Sequence, residues 1–207
     1  MIRVVDASNR GNYRQVLDAM HADRKTLFVD RLKWNVPVVD GRFEIDAFDT
    51  EHAVYLIATQ PETGEHIGSV RLLPTTRPHL LGDIFPMLVE GDVPRGEEIW
   101  EITRLCTAPT LADWEAHNAV RERLATALIE YALTMGINHY TMMTHMAFLS
   151  QLLSVGWDVE PLGLPQELDG QMLGALKVNV LPSTLQLFRR KFDLRGPVLR
   201  LDLSEQG

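Results

Sequence analysis

The chain has 207 residues, of which 45% are apolar and 23% charged, and its formal net charge is −8. That length suits one domain with its own core and is short for two, and the composition is that of a soluble globular protein. The negative balance excludes chain-wide attraction to nucleic acid, the single Cys106 excludes an internal disulfide, and no apolar run approaches the roughly 20 residues that span a bilayer. The opening MIRVVDASNRGNYRQVL turns polar after two valines and lacks the apolar segment of a secretory signal. The chain therefore reads as soluble and cytoplasmic, with neither a membrane nor a nucleic acid as partner.

Tyr13, Val16, Leu17 and Met20 recur at helical spacing, which predicts a helix from Asn9 to about Ala22. Asn35 to Thr50, with Pro37, Gly41 and interspersed charges, reads as an ordered loop. Ala53–Thr59 and His66–Leu73 read as strands of a hairpin around the turn Pro61–Gly64. The proline-rich stretch from Pro74 to Gly96 suggests irregular chain with a short helix near Leu80–Leu88. A strand over Ile99–Cys106 and a helix over His117–Met135, stopped by Gly136, follow. Beyond them the pattern predicts a strand over Tyr140–Thr144 and a helix over Met146–Val155 ended by Gly156. A strand over Leu173–Val180, a helix from Pro182 to about Lys191 and a final strand over Val198–Leu203 complete the order. This alternation predicts an α/β or α+β fold, a mixed sheet with helices packed on it.

Four blocks fall in one order along the first half. They are RKTLF from Arg24 to Phe28 with RLKW ending at Trp34; GRFEIDAFD, carrying Asp46 and Asp49; GSVRLLPTTRP, carrying Arg71; and WEITR, carrying Glu101 and Arg104. The series resembles the signature of the LuxI-type acyl-homoserine-lactone synthases. The similarity runs from Arg24 to Arg104, and beyond it only the element layout and the turn LLSVGW correspond. The resemblance implies a single domain over residues 1–207 with the fold of the GCN5-related N-acyltransferases, a twisted mixed sheet flanked by helices. Residues 1–110 would form the S-adenosylmethionine half and 111–207 the acyl-chain and carrier half. It also implies a two-part reaction. The amine of S-adenosylmethionine attacks an acyl thioester, and the methionine carboxylate then closes onto its own γ-carbon and expels methylthioadenosine. The product is a quorum-sensing signal. S-adenosylmethionine is then a substrate, and no cofactor is expected.

The residue types suit that ligand. A sulfonium and an adenine want aromatic faces and acidic groups, and a carboxylate wants a guanidinium. Phe28 and Trp34 supply the faces, and Arg24 shares a side with Phe28 if the segment is helical. Asp46 and Asp49 can meet positive charge or orient an arginine. Arg71 and Arg104 can bind a carboxylate or fix those aspartates. Glu101 is the candidate general base for the amine, directly or through one water. On a regular strand, Glu101 and Arg104 would point to opposite faces, so a shared role requires a bulge or bend between them.

For the acyl chain, Met142, Met143, Thr144, Met146, Phe148, Leu149 and Leu152 are candidate lining, methionine being adaptable to irregular cavities. Thr144 falls where the family often has a threonine that touches a substituent on the chain. Acyl carrier protein is the favoured donor and acyl-coenzyme A the alternative. TAPTLADWEAHNAV after Cys106 has no glycine turn to cradle a pyrophosphate. Against the carrier, MAFLSQLLSV has no charge where relatives carry basic docking residues, which leaves Arg189, Arg190, Lys191 and Arg195, with Arg121 and Arg123.

Plainer roles exist for each group. The arginines and aspartates can form a surface ion-pair network, Glu101 can be a structural partner of an arginine, and the aromatics and methionines can be ordinary core. Cys106 has no histidine near it in sequence to activate it as a nucleophile. The seven histidines show no metal-binding spacing, and no metal is expected. Two other functions remain open: an N-acyltransferase acting on a different amine, and a relative that binds ligand without turnover.

Overall fold

The computed structural model describes residues 1–200. They form two compact units. One holds Met1–Arg71, Arg104–Leu128 and the chain from Pro197; the other holds Leu72–Thr103 and Ile129–Gly196.

In the first unit, β1 (Ile2–Val5) is followed by a 3₁₀ turn over Arg10–Tyr13 and by α1 (Arg14–Arg24). Sequence periodicity ends this helix near Ala22, but the chain stays helical. It widens into a π-helix over Lys25–Arg31, a form that is rare and frequent at functional sites. The predicted loop contains a hairpin, β2 (Val38–Val39) and β3 (Phe43–Glu44). Its turn is Asp40-Gly41, both at positive φ (51° and 65°). This is the primed geometry that matches strand twist and selects Asp-Gly. The strands are two residues long, too short for alternation to register.

β4 (Val54–Thr59) and β5 (His66–Pro74) form the predicted hairpin. Strand β1, which sequence patterning did not single out, pairs antiparallel with β4, Ile2 opposite Ala58. The first unit thus carries the order β11–β1–β4–β5, with β11 (Leu199–Arg200) parallel to β1. The predicted strand end beyond Arg200 lies outside the described residues. β4 is buried along Val54–Ala58, as its unbroken apolar run requires.

β6 (Ile99–Thr107) comes after α2 (Leu80–Asp83) and a 3₁₀ turn at Pro86–Leu88. α3 (Trp114–Met135) then starts three residues before the predicted start at His117. In the second unit, β6 pairs in parallel with β7 (His139–His145), from Ile99 opposite His139 to Ile102 opposite Met142. α4 (Met146–Val155) ends at Gly156, as expected. β8 (Val159–Pro161) and β9 (Gln166–Leu168) both pair with β10 (Gln171–Asn179), which is antiparallel to β7. Neither short strand has a sequence pattern of its own; β10 templates both. α5 (Pro182–Lys191) packs Phe188 against Trp157, ring centroids 5.2 Å apart. Both units are mixed sheet with helices, the expected fold class. No helix among the described residues is long and apolar enough to cross a membrane.

In the first unit α3 lies close on β5. A Cβ at Gly68 would stand 2.4 Å from Val120 Cγ1 and 3.2 Å from the Cys106 carbonyl. Gly68→Ala should therefore lower stability by about 1–3 kcal/mol through overpacking, read as a drop in the urea midpoint at unchanged slope.

Candidate active site

The first unit buries an ion network built from three of the four blocks and the arginine of the fourth. Arg24, in the last turn of α1, is 1% exposed. It forks onto Asp49, Nη1 to Oδ1 at 2.8 Å and Nη2 to Oδ2 at 2.9 Å, and its Nε donates to Glu44 Oε2 at 2.6 Å. Arg71 on β5 forks onto Asp46 at 2.6 and 2.9 Å and also reaches Asp49 Oδ1 at 2.9 Å. Arg104 on β6 donates to Glu44 Oε1 at 3.0 Å and to Asp46 Oδ2 at 2.7 Å. Tyr55 Oη adds a bond to Asp49 Oδ1 at 2.8 Å, and the Asp46 amide donates to Asp49 Oδ2 at 2.9 Å. His21 Nδ1 lies 3.0 Å from the Glu44 carbonyl, holding β3 against α1. This is a buried network, not the surface one that charge alone allows.

Burial by itself would raise the Asp49 carboxyl. The bonds from Arg24 and the charges of Arg71 and Arg24 outweigh it and hold Asp49 well below the ordinary aspartate range. Burial lowers a guanidinium, yet Arg24 is raised by its bond to Asp49, and Arg71 by its bond to Asp46. Tyr55 is pushed up by burial and by the Asp49 charge.

One edge of the network is aromatic. Phe28 lies on the π-helix and Trp34 follows a left-handed residue, Lys33 at φ 59°. Their rings stack at 4.8 Å with planes 19° apart, and the Trp34 amide donates to the Phe28 carbonyl at 2.8 Å. The Arg104 guanidinium lies 5.4 Å from the Phe28 centroid and 5.9 Å from that of Trp34, within cation–π range. Phe28 is buried and Trp34 half-buried.

Arg104 ends the Glu101–Arg104 segment in which a bulge or bend was expected, and its backbone is irregular. Its φ is 54°, a left-handed residue inside β6. A non-glycine residue there is strained, and such strain gathers at functional sites.

Glu101 lies in the second unit and is fully buried. Its two carboxylate oxygens accept the amides of Leu80 and Leu81 at 2.8 and 2.7 Å, capping the start of α2. This backbone cap is a structural role for Glu101. Met142 and Thr144 share one face of β7, and Met146 begins α4 over Gly174, the register partner of Thr144. Phe148 and Leu149 are half-buried and Leu152 buried. Met143 does not belong with them. Alternation turns it to the other face, against Leu81, Leu88, Leu173 and Ala175. Cys106 is buried, and burial pushes its thiol up to about 12, which suits core rather than nucleophile.

Glu44 and Tyr55 were not selected from sequence. Glu44 lies inside the GRFEIDAFD block and Tyr55 inside an apolar strand. The only signal for either was proximity to Asp46 and Asp49.

Residues 8–182 match the autoinducer synthase family. The chain belongs to the autoinducer synthases, the acyltransferases that form acyl-homoserine lactones. It is 33% identical over 184 residues to an acyl-homoserine-lactone synthase of Ralstonia solanacearum, covering 84% of this chain and 87% of that one. Two solved structures are similar throughout. One is a CoA-dependent acyl-homoserine lactone synthase, MesI, at 32% identity and a TM-score of 0.86, covering 96% of this chain and 98% of that one. The other is a CoA-dependent synthase, BjaI, with S-adenosylmethionine and isopentyl-CoA, at 29% identity and a TM-score of 0.89, covering 98% and 93%. The GCN5-related, acyltransferase-like fold expected from the blocks is thus the fold of this synthase.

Removing one charge from the network isolates its worth. Asp49→Asn leaves Arg24 buried beside a neutral amide and should cost about 3–5 kcal/mol. The sign with pH follows from the depressed Asp49: its contribution is complete above the unfolded value near 3.9 and is lost as pH falls through the lower folded one. Parent stability should therefore fall more steeply than that of Asp49→Asn below about pH 3.9, measured by denaturant unfolding at stepped pH.

Proposed function

We propose that this synthase acylates S-adenosylmethionine from an acyl-coenzyme A and closes the product to an acyl-homoserine lactone, releasing methylthioadenosine. The buried ion network ending in Arg104 against the Phe28–Trp34 stack carries this reading. The Trp34 and Phe28 faces suit the sulfonium and adenine, and Arg104 offers a guanidinium to the methionine carboxylate. Arg24, Glu44, Asp46, Asp49 and Arg71 hold Arg104 and the aromatic pair in place. Counting Arg104, the charges balance as three against three, so a ligand that is cationic at sulfur and anionic at its carboxylate meets a neutral set. S-adenosylmethionine is a substrate here, and the chemistry calls for no resident cofactor or metal.

Glu101 is proposed as the base that takes the amine proton, directly or through one water. Its oxygens accept the amides of Leu80 and Leu81, which fix the carboxylate in one orientation. Met142, Thr144, Met146, Phe148, Leu149 and Leu152 are proposed to receive the acyl chain. In this division residues 1–110 supply the S-adenosylmethionine groups and 111–207 the acyl groups.

The similarity to two CoA-dependent synthases supports coenzyme A as the carrier, as does α4, which offers no charge to an acidic protein. A carrier protein is the second reading. Asp113 caps the start of α3 by accepting the Ala116 amide at 2.8 Å, which repels a pyrophosphate there. Arg190, Lys191 and Arg195 also stand exposed for an acidic partner.

Incubating the purified chain with S-adenosylmethionine and matched acyl-coenzyme A and acyl-carrier thioesters should give lactone and methylthioadenosine, faster with coenzyme A. Acylated product without methylthioadenosine would mean another amine is the acceptor. Neither product with any donor would defeat the proposal. Glu101→Gln should lower kcat about 10²–10⁴-fold while the chain stays folded by circular dichroism.

A further inference from the structure

In the second unit Glu101 on β6 is in register with Thr141 on β7, and the strands are parallel. Register partners in neighbouring strands project to the same face. Thr141 is fully buried, and its Oγ1 is one of four buried side-chain polar atoms with no hydrogen-bonding partner among the described residues. The other three are nitrogens of side chains that bond through another nitrogen. Arg10 reaches the Ala53 carbonyl, His79 the Arg77 carbonyl and Arg189 the Glu130 carboxylate. Thr141 has a single polar atom, and it is unused. Valine fills the same volume in a strand without a hydroxyl to satisfy, so packing gives no reason for the oxygen.

We infer that Thr141 is a further catalytic residue of the acyl transfer, the donor to the thioester carbonyl oxygen as it becomes an oxyanion. The inference rests on the proposed reaction and on Glu101 as base. A base sits about 2.6–3.2 Å from the nitrogen it deprotonates. The attacking nitrogen approaches the carbonyl carbon at about 3–3.5 Å. An oxyanion donor sits about 2.7–3.1 Å from the oxygen. A carboxylate and a hydroxyl rooted one strand spacing apart, about 4.8 Å, can therefore hold the two ends of one nitrogen–carbon–oxygen unit. Thr141 lies on the face of β7 opposite Met142 and Thr144, and the β6–β7 register pairs end at Ile102 opposite Met142, so the acyl chain passes beyond that last pair to reach Met142 and Thr144.

In the transfer a nitrogen–carbon bond forms and the carbon–sulfur bond breaks. The amine proton passes to Glu101 and from it to the departing thiolate sulfur. Thr141 keeps its own proton throughout, donating a hydrogen bond to the oxygen while it carries the charge.

The test compares Thr141→Val, which removes the hydroxyl at constant volume, with Thr141→Ser, which keeps it. With S-adenosylmethionine and the best acyl-coenzyme A, Thr141→Val should lose about 10²–10³-fold in kcat at unchanged KM for S-adenosylmethionine, and Thr141→Ser should recover most of the loss. A second arm measures binding of two unreactive coenzyme A analogues, a ketone that retains the carbonyl and a thioether without it. The valine variant should bind the ketone more weakly than the parent and the thioether equally. Full activity in Thr141→Val, equal damage in Thr141→Ser, or equal ketone binding would each overturn the role while leaving the synthase reading intact. A parent that makes no lactone with any donor would overturn both.

Discussion

Three guanidiniums can share one buried cluster only if carboxylates stand between them, and Glu44 is the group that separates two. One of its oxygens takes Arg24 and the other takes Arg104, while its carbonyl faces His21. Taking each ion out of water costs several kcal/mol, so the network is affordable only because nearly every charge is matched at hydrogen-bond distance. The same balance makes it stiff. Arg24 and Arg71 are both held by two-point forks, which fix orientation as well as distance. Arg104 then receives its position from two acids that are themselves held by Arg24 and Arg71.

The backbone is shaped to serve that network. The π-helix after Arg24 re-aims Phe28, Lys33 turns the chain back, and Trp34 closes onto Phe28. Arg104 adopts a left-handed conformation that costs of order 1–3 kcal/mol. The two acids and the two aromatic rings that meet its guanidinium offset that cost. A strained residue is retained here because the strained conformer carries the guanidinium where the rings are.

Legibility from sequence follows the range of the interactions involved. Long periodic elements such as α3, α4, α5, β5 and β10 could be located from pattern alone, because burial imposes a period on many residues at once. The hairpin β2–β3 and the strands β8 and β9 could not, since two or three residues show no period and take their form from a turn or a neighbour. The charged residues of the site were legible as types in order, but their partners were not. Nothing in RKTLF says that Arg24 meets Asp49, twenty-five positions away, and nothing marks Glu44 as buried. A distortion between Glu101 and Arg104 was expected from strand alternation if the two share a role, and the left-handed backbone of Arg104 is an irregularity of β6 at that point.

The two substrates also differ in what they ask of a sequence. A sulfonium, an adenine and a carboxylate demand particular groups at particular places, and such demands leave ordered motifs. An acyl chain demands only apolar volume, which many side chains fill equally well. α4 shows the consequence. It is wholly uncharged, yet Leu152 alone is buried, while Phe148 and Leu149 are half-buried and Leu153 is exposed. A helix this apolar and this loosely covered gains by meeting another apolar surface. The Met146 side chain already lies over Gly174, beside Thr144. Selection among acyl chains is a matter of volume rather than of charge, which is why motifs spell out the adenosyl substrate and leave the acyl group unspecified.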